Sequence, residues 1–132
     1  MGDKVGCALV LFNLGTTAAT QQIYVPSQAY YLESLALFDE LGAIWGVAWC
    51  LAGMAFLAWI DGHRERAARL FGAADALTIL IHFNEESPGD ADAERLWARA
   101  RADLDTAAFA LAWAEGRAMP REQAVATAVA LM

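Results

Sequence analysis

Basic residues are scarce in this chain. Nine lysines and arginines stand against sixteen aspartates and glutamates, a formal net charge of −7 over 132 residues. Affinity for nucleic acid comes largely from neutralising phosphates, so the composition argues against a direct nucleic-acid partner. Cysteine is sparse too, with Cys7 and Cys50 both inside apolar runs. Such a pair reads as small buried hydrophobes in a reducing, cytoplasmic compartment rather than as a disulfide or a metal clamp. Histidine is limited to His63 and His82, without cysteine or carboxylate at zinc-site spacing. Three prolines and ten glycines leave long stretches free of helix breakers. The apolar run Val5 to Leu14 follows Lys4 but lacks a cleavage site and continues into TTAATQQ, so no signal peptide is expected.

Recognisable chemistry is missing as well. There is no GxxxxGK[ST] phosphate loop. Ser27, Ser34 and Ser87 have no paired histidine and aspartate context. Glu85, Glu86, Asp90, Asp92 and Glu94 form an acidic stretch without the ligand spacing and central glycine of a calcium loop, so a solvated connection is expected. Arg64, Arg66 and Arg69, with Glu65 four residues ahead of Arg69, read as an ordinary helix-surface pattern. These absences predict a protein that is not an enzyme and takes no metal or cofactor.

What is present is apolar: 58% of the residues are hydrophobic, with an excess of alanine. The segment LGAIWGVAWCLAGMAFLAWI, Leu41 to Ile60, holds twenty residues without a charge. About 20 apolar residues suffice to cross a hydrocarbon core of roughly 30 Å. A helix apolar all round is buried either in protein or in lipid. A membrane anchor over 41–60 is thus the alternative to a buried helix.

Comparing the chain with itself favours burial in protein. A shift of forty residues aligns Gly2/Gly42, Gly6/Gly46, Ala8/Ala48, Leu11/Leu51, Ala18/Ala58, Ala36/Ala76 and Leu37/Leu77 without a gap, and sets Tyr31 against Phe71. TQQIY in the first copy matches IDGHR in the second. Each copy reads as helix, turn, helix, over roughly 3–20 and 26–41, then 43–60 and 63–82. The counterpart of the apolar segment is interrupted by Asn13 and threonines and could not span a bilayer. Ala36 and Ala76 are expected at tightly packed equivalent positions between paired helices.

Beyond His82 the sequence stops repeating. After a polar break, a helix is expected over about 90–103, with Leu96, Ala100 and Leu104 on one stripe and Arg95, Arg99 and Asp103 on another. Asp105 is placed to cap a further helix carrying Phe109, Ala112, Trp113 and Gly116. Pro120 suits the first turn of a closing helix, with Glu122 near its positive end and Ala124, Val125, Ala128 and Val129 buried. No strand is required anywhere. The expected fold is all-α: repeat one over about 2–41, repeat two over about 42–82, and capping helices over about 90–132, in one domain.

The residues also resemble a known family. ALVLFNLG followed by YYLESLALFDELG is similar to a degenerate tetratricopeptide (TPR) repeat. GHRERAARLFGAADAL (Gly62 to Leu77) and FALAWAEGRAMPREQAVATAVAL (Phe109 to Leu131) resemble the segment that closes the TPR regions of large bacterial signalling ATPases, including LuxR-type regulators and proteins with adenylate cyclase-like domains. The chain departs from the family pattern at Gln22-Ile23-Tyr24 and Gly62-His63-Arg64, where Gly-Asp-Tyr is usual, and at Met54-Ala55, where Leu-Gly is usual. Its opening, MGDKVG, resembles the middle of an array, which would make it part of a larger regulator.

The resemblance implies a TPR-like α-solenoid fragment acting as a protein-interaction or sensor scaffold for a signalling or transcriptional regulator. In that register the first helix of each repeat lines a concave groove. Leu9, Phe12, Thr16 and Thr20 would then lie beside Trp49, Ala52, Phe56 and Trp59. The groove would receive a protein or peptide unless the final helices cover it. The lysine and asparagine pattern that clamps C-terminal carboxylates in TPR grooves is absent apart from Asn13, so a carboxylate-terminal peptide is not expected. The N-terminal helix, through Val5, Leu9, Val10 and Phe12, would present an apolar face to a second copy or another partner.

Overall fold

The computed structural model describes residues 3–84 and 91–130, with the backbone alone for 79–84, 91 and 92. Among the described residues every regular element is helical: α1 (Lys4–Thr20), α2 (Tyr24–Leu41), α3 (Ile44–Ile60), α4 (Arg64–Asn84), α5 (Ala91–Leu104), α6 (Ala110–Arg117) and α7 (Arg121–Val129). A 3-10 turn, Ala107–Phe109, leads into α6. The all-α expectation holds, and the helices pack in pairs.

Local chemistry sets the helix ends. The Asp3 carboxylate accepts from the Gly6 backbone N–H at 3.0 Å, capping α1. α2 begins at Tyr24, two residues before Pro26, because proline in a first turn lacks only an N–H that has no helical partner. It ends at Gly42, in the left-handed conformation, where the Ala43 N–H reaches back to the Phe38 carbonyl.

The two hairpin turns coincide atom for atom at the forty-residue shift. In the first, the N–H groups of Gln21, Gln22 and Ile23 donate to the carbonyls of Thr17, Ala19 and Ala18. In the second, those of Asp61, Gly62 and His63 donate to Leu57, Trp59 and Ala58. α1 and α3 therefore end at equivalent residues, and α2 and α4 start at equivalent residues.

α1 packs along α2, and α3 along α4, with α2 and α3 joining the pairs. Side chains seal the first pair: Ser27 Oγ donates to the Gly15 carbonyl and Ser34 Oγ to that of Ala8, each at 2.7 Å, and Thr16 Oγ1 bonds Tyr31 Oη at 2.8 Å. The Tyr31 ring lies between two glycines. A Cβ at Gly15 of α1 would stand 2.8 Å from Cδ1, and one at Gly53 of α3 would stand 2.7 Å from Cζ. Ser27 and Ser34 are thus structural hydroxyls that satisfy helix carbonyls.

α3 holds most of the twenty-residue apolar segment. Its helix has 17 residues, about 25 Å at 1.5 Å per residue, because Gly42 breaks the chain before Ile44. Twelve of its residues, from Gly46 to Ala58, are buried against the other helices. No helix among the described residues is long and apolar enough to cross a membrane. The other helices cover α3 on several sides, as the burial alternative for 41–60 expects.

The C-terminal helices belong to the same core. α6 crosses α4 where Gly72 faces the Trp113 carbonyl and Gly116 faces the Arg69 carbonyl, with no room for a Cβ on either side. Trp113 stacks on Phe71 (6.1 Å between ring centres, 18° between planes), and the Arg101 guanidinium covers the Phe71 ring at 4.5 Å. Arg101 also pairs with Asp75 at 2.7 Å. α7 adds Ala124 and Ala128 to the core.

Five finer expectations are corrected. Cys7 is exposed; Cys50 is buried. Ala36 faces solvent and Ala76 is half-buried, because the equivalent pairs that carry packing are Ala8/Ala48, Ala18/Ala58 and Tyr31/Phe71. Asp105 caps nothing: Thr106 precedes the 3-10 turn without a side-chain bond. Pro120 is the N-cap of α7, in extended conformation, and not a first-turn residue. Val129, at the end of α7, is 51% exposed. Expectations placed on Glu85, Glu86, Ser87 and Asp90 and on the side chains of His82 and Asp92 fall outside the described residues.

Candidate cleft between the first, third and fifth helices

α5 lies along the side where the first helices of the two hairpins meet. Its buried face is Ala93, Trp97, Ala100 and Leu104. Trp97 meets the fully buried Phe12 edge to face at 6.1 Å between ring centres. Phe12 in turn packs on Trp49 at 5.2 Å, and Trp49 on Trp45 at 5.4 Å. This aromatic row fills one half of the side that α1 and α3 share.

The other half stays open. A cleft of about 940 Å³ runs between the C-terminal halves of α1 and α3 and the outer edge of α5. Phe56 and Trp59 supply apolar surface, their ring centres 6.0 Å apart. The Trp59 indole N–H donates to Asp103 Oδ2 at 2.7 Å, which fixes the ring against α5. Asn13, Thr16, Thr17, Thr20 and Gln21 bring hydroxyls and amides from α1 and its turn. Arg95 and Arg99 form the α5 side. Among the described lining residues none is acidic, in a chain whose net charge is −7.

The eight residues expected in the groove therefore divide. Thr16, Thr20, Phe56 and Trp59 line the cleft; Leu9, Phe12, Trp49 and Ala52 do not: Phe12 packs on Trp49 and on Trp97 of α5, Ala52 is buried, and Leu9 is half-buried against the core. Thr16 is itself spoken for by Tyr31, and Thr20 donates to the Thr16 carbonyl at 2.9 Å. Asn13, Thr17, Gln21 and Arg99 bring further polar groups to the cleft.

Sequence reasoning missed Arg95 and Arg99 as site residues. Their i, i+4 spacing put them on one edge of α5, but that edge gains meaning only from what it faces. The helix could be oriented from Trp97, whose burial rotates both arginines toward α1.

Elsewhere the chemistry is sparse. His63 Nε2 lies 3.1 Å from Asp61 Oδ2 in an exposed turn. No group of three or more potential metal ligands occurs among the described residues. The buried Cys50 thiol donates to Ser34 Oγ at 3.4 Å, and burial pushes its pKa up to about 12 despite that bond. It is held as a neutral thiol.

No family model, no curated protein and no solved structure matches the chain.

Proposed function

We propose that the chain is a non-catalytic helical-repeat scaffold, acting in the cytoplasm as the interaction or sensor part of a bacterial signalling or transcriptional regulator of the TPR-containing kind. The observation that carries this reading is the forty-residue recurrence. Two hairpins with the same turn hydrogen bonds stack side by side, the construction by which helical arrays build extended binding surfaces. α5 to α7 close the far end of the stack and leave part of the concave face open.

Two surfaces serve partners in this reading. One is the cleft lined by Thr16, Phe56 and Trp59. The other is the outer edge of α1, where Cys7, Val10 and Leu14 recur at intervals of three and four residues and are exposed. A protein or peptide partner, or a second copy of the chain, would cover that edge.

Photo-crosslinking in living cells tests the scaffold reading. A photoreactive residue at Val10 or Thr17 is expected to give a discrete crosslinked protein, whereas the same residue at exposed Ala36 gives none. Equal, diffuse labelling from all three positions would defeat the reading.

A further inference from the structure

We propose that the cleft between α1, α3 and α5 binds a small amphipathic anion, a carboxylate or phosphate monoester carried on a flat apolar body. The inference rests on the scaffold reading and gives its sensor surface a ligand class. Three features of the cleft point the same way.

The first is charge. Arg95 and Arg99 border the cleft, and no carboxylate among the described residues lines it. Arg99, like Arg66 and Arg117, makes no ion pair among the described residues, whereas Arg64, Arg69, Arg101 and Arg121 are each paired with an aspartate or glutamate. A guanidinium presents a planar set of donors that fits two oxygens of a carboxylate or phosphate at once. In a strongly acidic chain, a cleft whose described lining carries arginine and no carboxylate is a local departure in sign.

The second is the apolar surface beside that charge. Phe56 and Trp59 form a tilted pair, and Trp59 is held by its bond to Asp103. A ring held in place loses little entropy when a flat ligand packs on it. Asn13, Thr17 and Gln21 on the opposite wall offer hydrogen bonds to the ligand's polar edge.

The third is shape. An extended peptide advances about 3.3 Å per residue and needs a continuous trough. Here Phe12 is fully buried against Trp97 of α5, so this part of α1 is not open to a ligand. The remaining space, about 940 Å³, falls within the range of small-molecule sites, roughly 300–1,000 Å³. The site therefore suits a compact ligand.

A pair of fluorescent probes tests the proposal on the full chain: 8-anilinonaphthalene-1-sulfonate, which is anionic, and N-phenyl-1-naphthylamine, its neutral analogue. The sulfonate should bind saturably at one site, and phenyl phosphate or benzoate should displace it. Arg99→Gln should weaken sulfonate binding by about tenfold or more, the value of a lost charge-assisted contact, and leave the neutral dye unaffected. Thr17→Glu, at an exposed helix position, should do the same by placing a carboxylate at the cleft. Both variants should keep the wild-type melting transition. Non-saturable dye binding, or equal affinity in Arg99→Gln and wild type, would overturn the site. Displacement by an acidic peptide but by neither small anion would overturn the compact-ligand assignment while leaving the scaffold reading intact.

Discussion

Gln22 and Gly62 stand forty residues apart and hold the same left-handed backbone, with φ of 63° and 87°, at the same point of two different turns. A left-handed residue with a side chain costs roughly 1–2 kcal/mol relative to its ordinary conformation. Glycine carries no such cost but loses more backbone freedom on folding. Gln22→Gly should therefore stabilise the chain by about 0.5–1 kcal/mol, and Gly62→Gln should destabilise it by about 1 kcal/mol. Urea midpoints moving in opposite directions are the expected result. Midpoints moving the same way would mean that the turns are not energetically equivalent.

Tyr31 couples the two hairpins. Its hydroxyl bonds Thr16 and its ring fills the space that glycine leaves at position 53. Tyr31→Phe leaves the buried Thr16 hydroxyl short of a partner and should cost about 1–2 kcal/mol. Gly53→Ala should overpack the ring and cost about 1–3 kcal/mol. In a Tyr31→Leu background the alanine should cost much less, because the ring it strikes is gone. A double-mutant cycle with no coupling would refute the contact.

The crossing of α4 and α6 depends on bare backbone. Gly116→Ala places a methyl on the Arg69 carbonyl, and Gly72→Ala places one on the Trp113 carbonyl. Neither obstacle is a flexible side chain, so each variant must push the helices apart and should lose about 2–3 kcal/mol. The Phe71–Trp113 stack should loosen as well, visible as a red shift in tryptophan emission. A variant of either kind with wild-type stability would show that α6 is an appendage.

The hairpins were legible because small residues and turns recur in step: Ala8/Ala48, Ala18/Ala58 and the segments TQQIY and IDGHR all mark them. The left-handed residue of the first turn was not, since glutamine rarely adopts that conformation and nothing in its neighbours announces it. Ala36 misled because alanine is as comfortable on an exposed helix surface as in a core. Phe12 and Val10 sit two residues apart on α1, yet one is fully buried and the other 57% exposed. Tyr31 of α2, Trp49 of α3 and Trp97 of α5 together enclose Phe12, and only their placement decides which side of α1 is inside. The cleft was half legible for the same reason: its aromatic surface belongs to the repeat, whereas its arginines arrive on a helix outside it.

Cys50 makes stability sensitive to alkali. Its folded pKa is raised from 9.0 to about 12, chiefly by burial, with the Ser34 bond opposing. The thiol ionises more readily once the chain unfolds. Its contribution is thus fully present below about pH 9 and is lost progressively as pH rises toward 12. Cys50→Ala should flatten the fall in melting temperature over that range. A thiol reagent at pH 8 should label exposed Cys7 quickly and Cys50 at the rate of unfolding. Rapid labelling of both thiols would contradict the burial.

The outer edge of α1 gives the last prediction. The sequence placed Val5, Leu9, Val10 and Phe12 together on an open face, but Phe12 is fully buried and Leu9 half-buried. What remains open is a seam through Cys7, Val10 and Leu14, with Val10 57% and Leu14 42% exposed. Residues spaced three and four apart form the stripe by which helices pair along their length. A second copy meeting the seam about a two-fold axis would cover both chains with one surface. Concentration-dependent association in sedimentation is therefore expected, weakened by Val10→Glu or Leu14→Glu with the melting transition kept. Phe12→Glu should instead unfold the chain, because a charge buried without a partner costs far more than the usual 5–15 kcal/mol of total stability allows. Association weakening in step with loss of the melting transition for all three variants would place the effect in folding rather than in pairing. Under an oxidant, Cys7 should give a disulfide-linked dimer if the two helices run parallel and in register, which sets each residue beside its own copy, whereas an antiparallel pair centred on Val10 sets Cys7 against Leu14. A dimer that forms without that crosslink, yet dissociates in Val10→Glu, would keep the seam and change the register of the pairing.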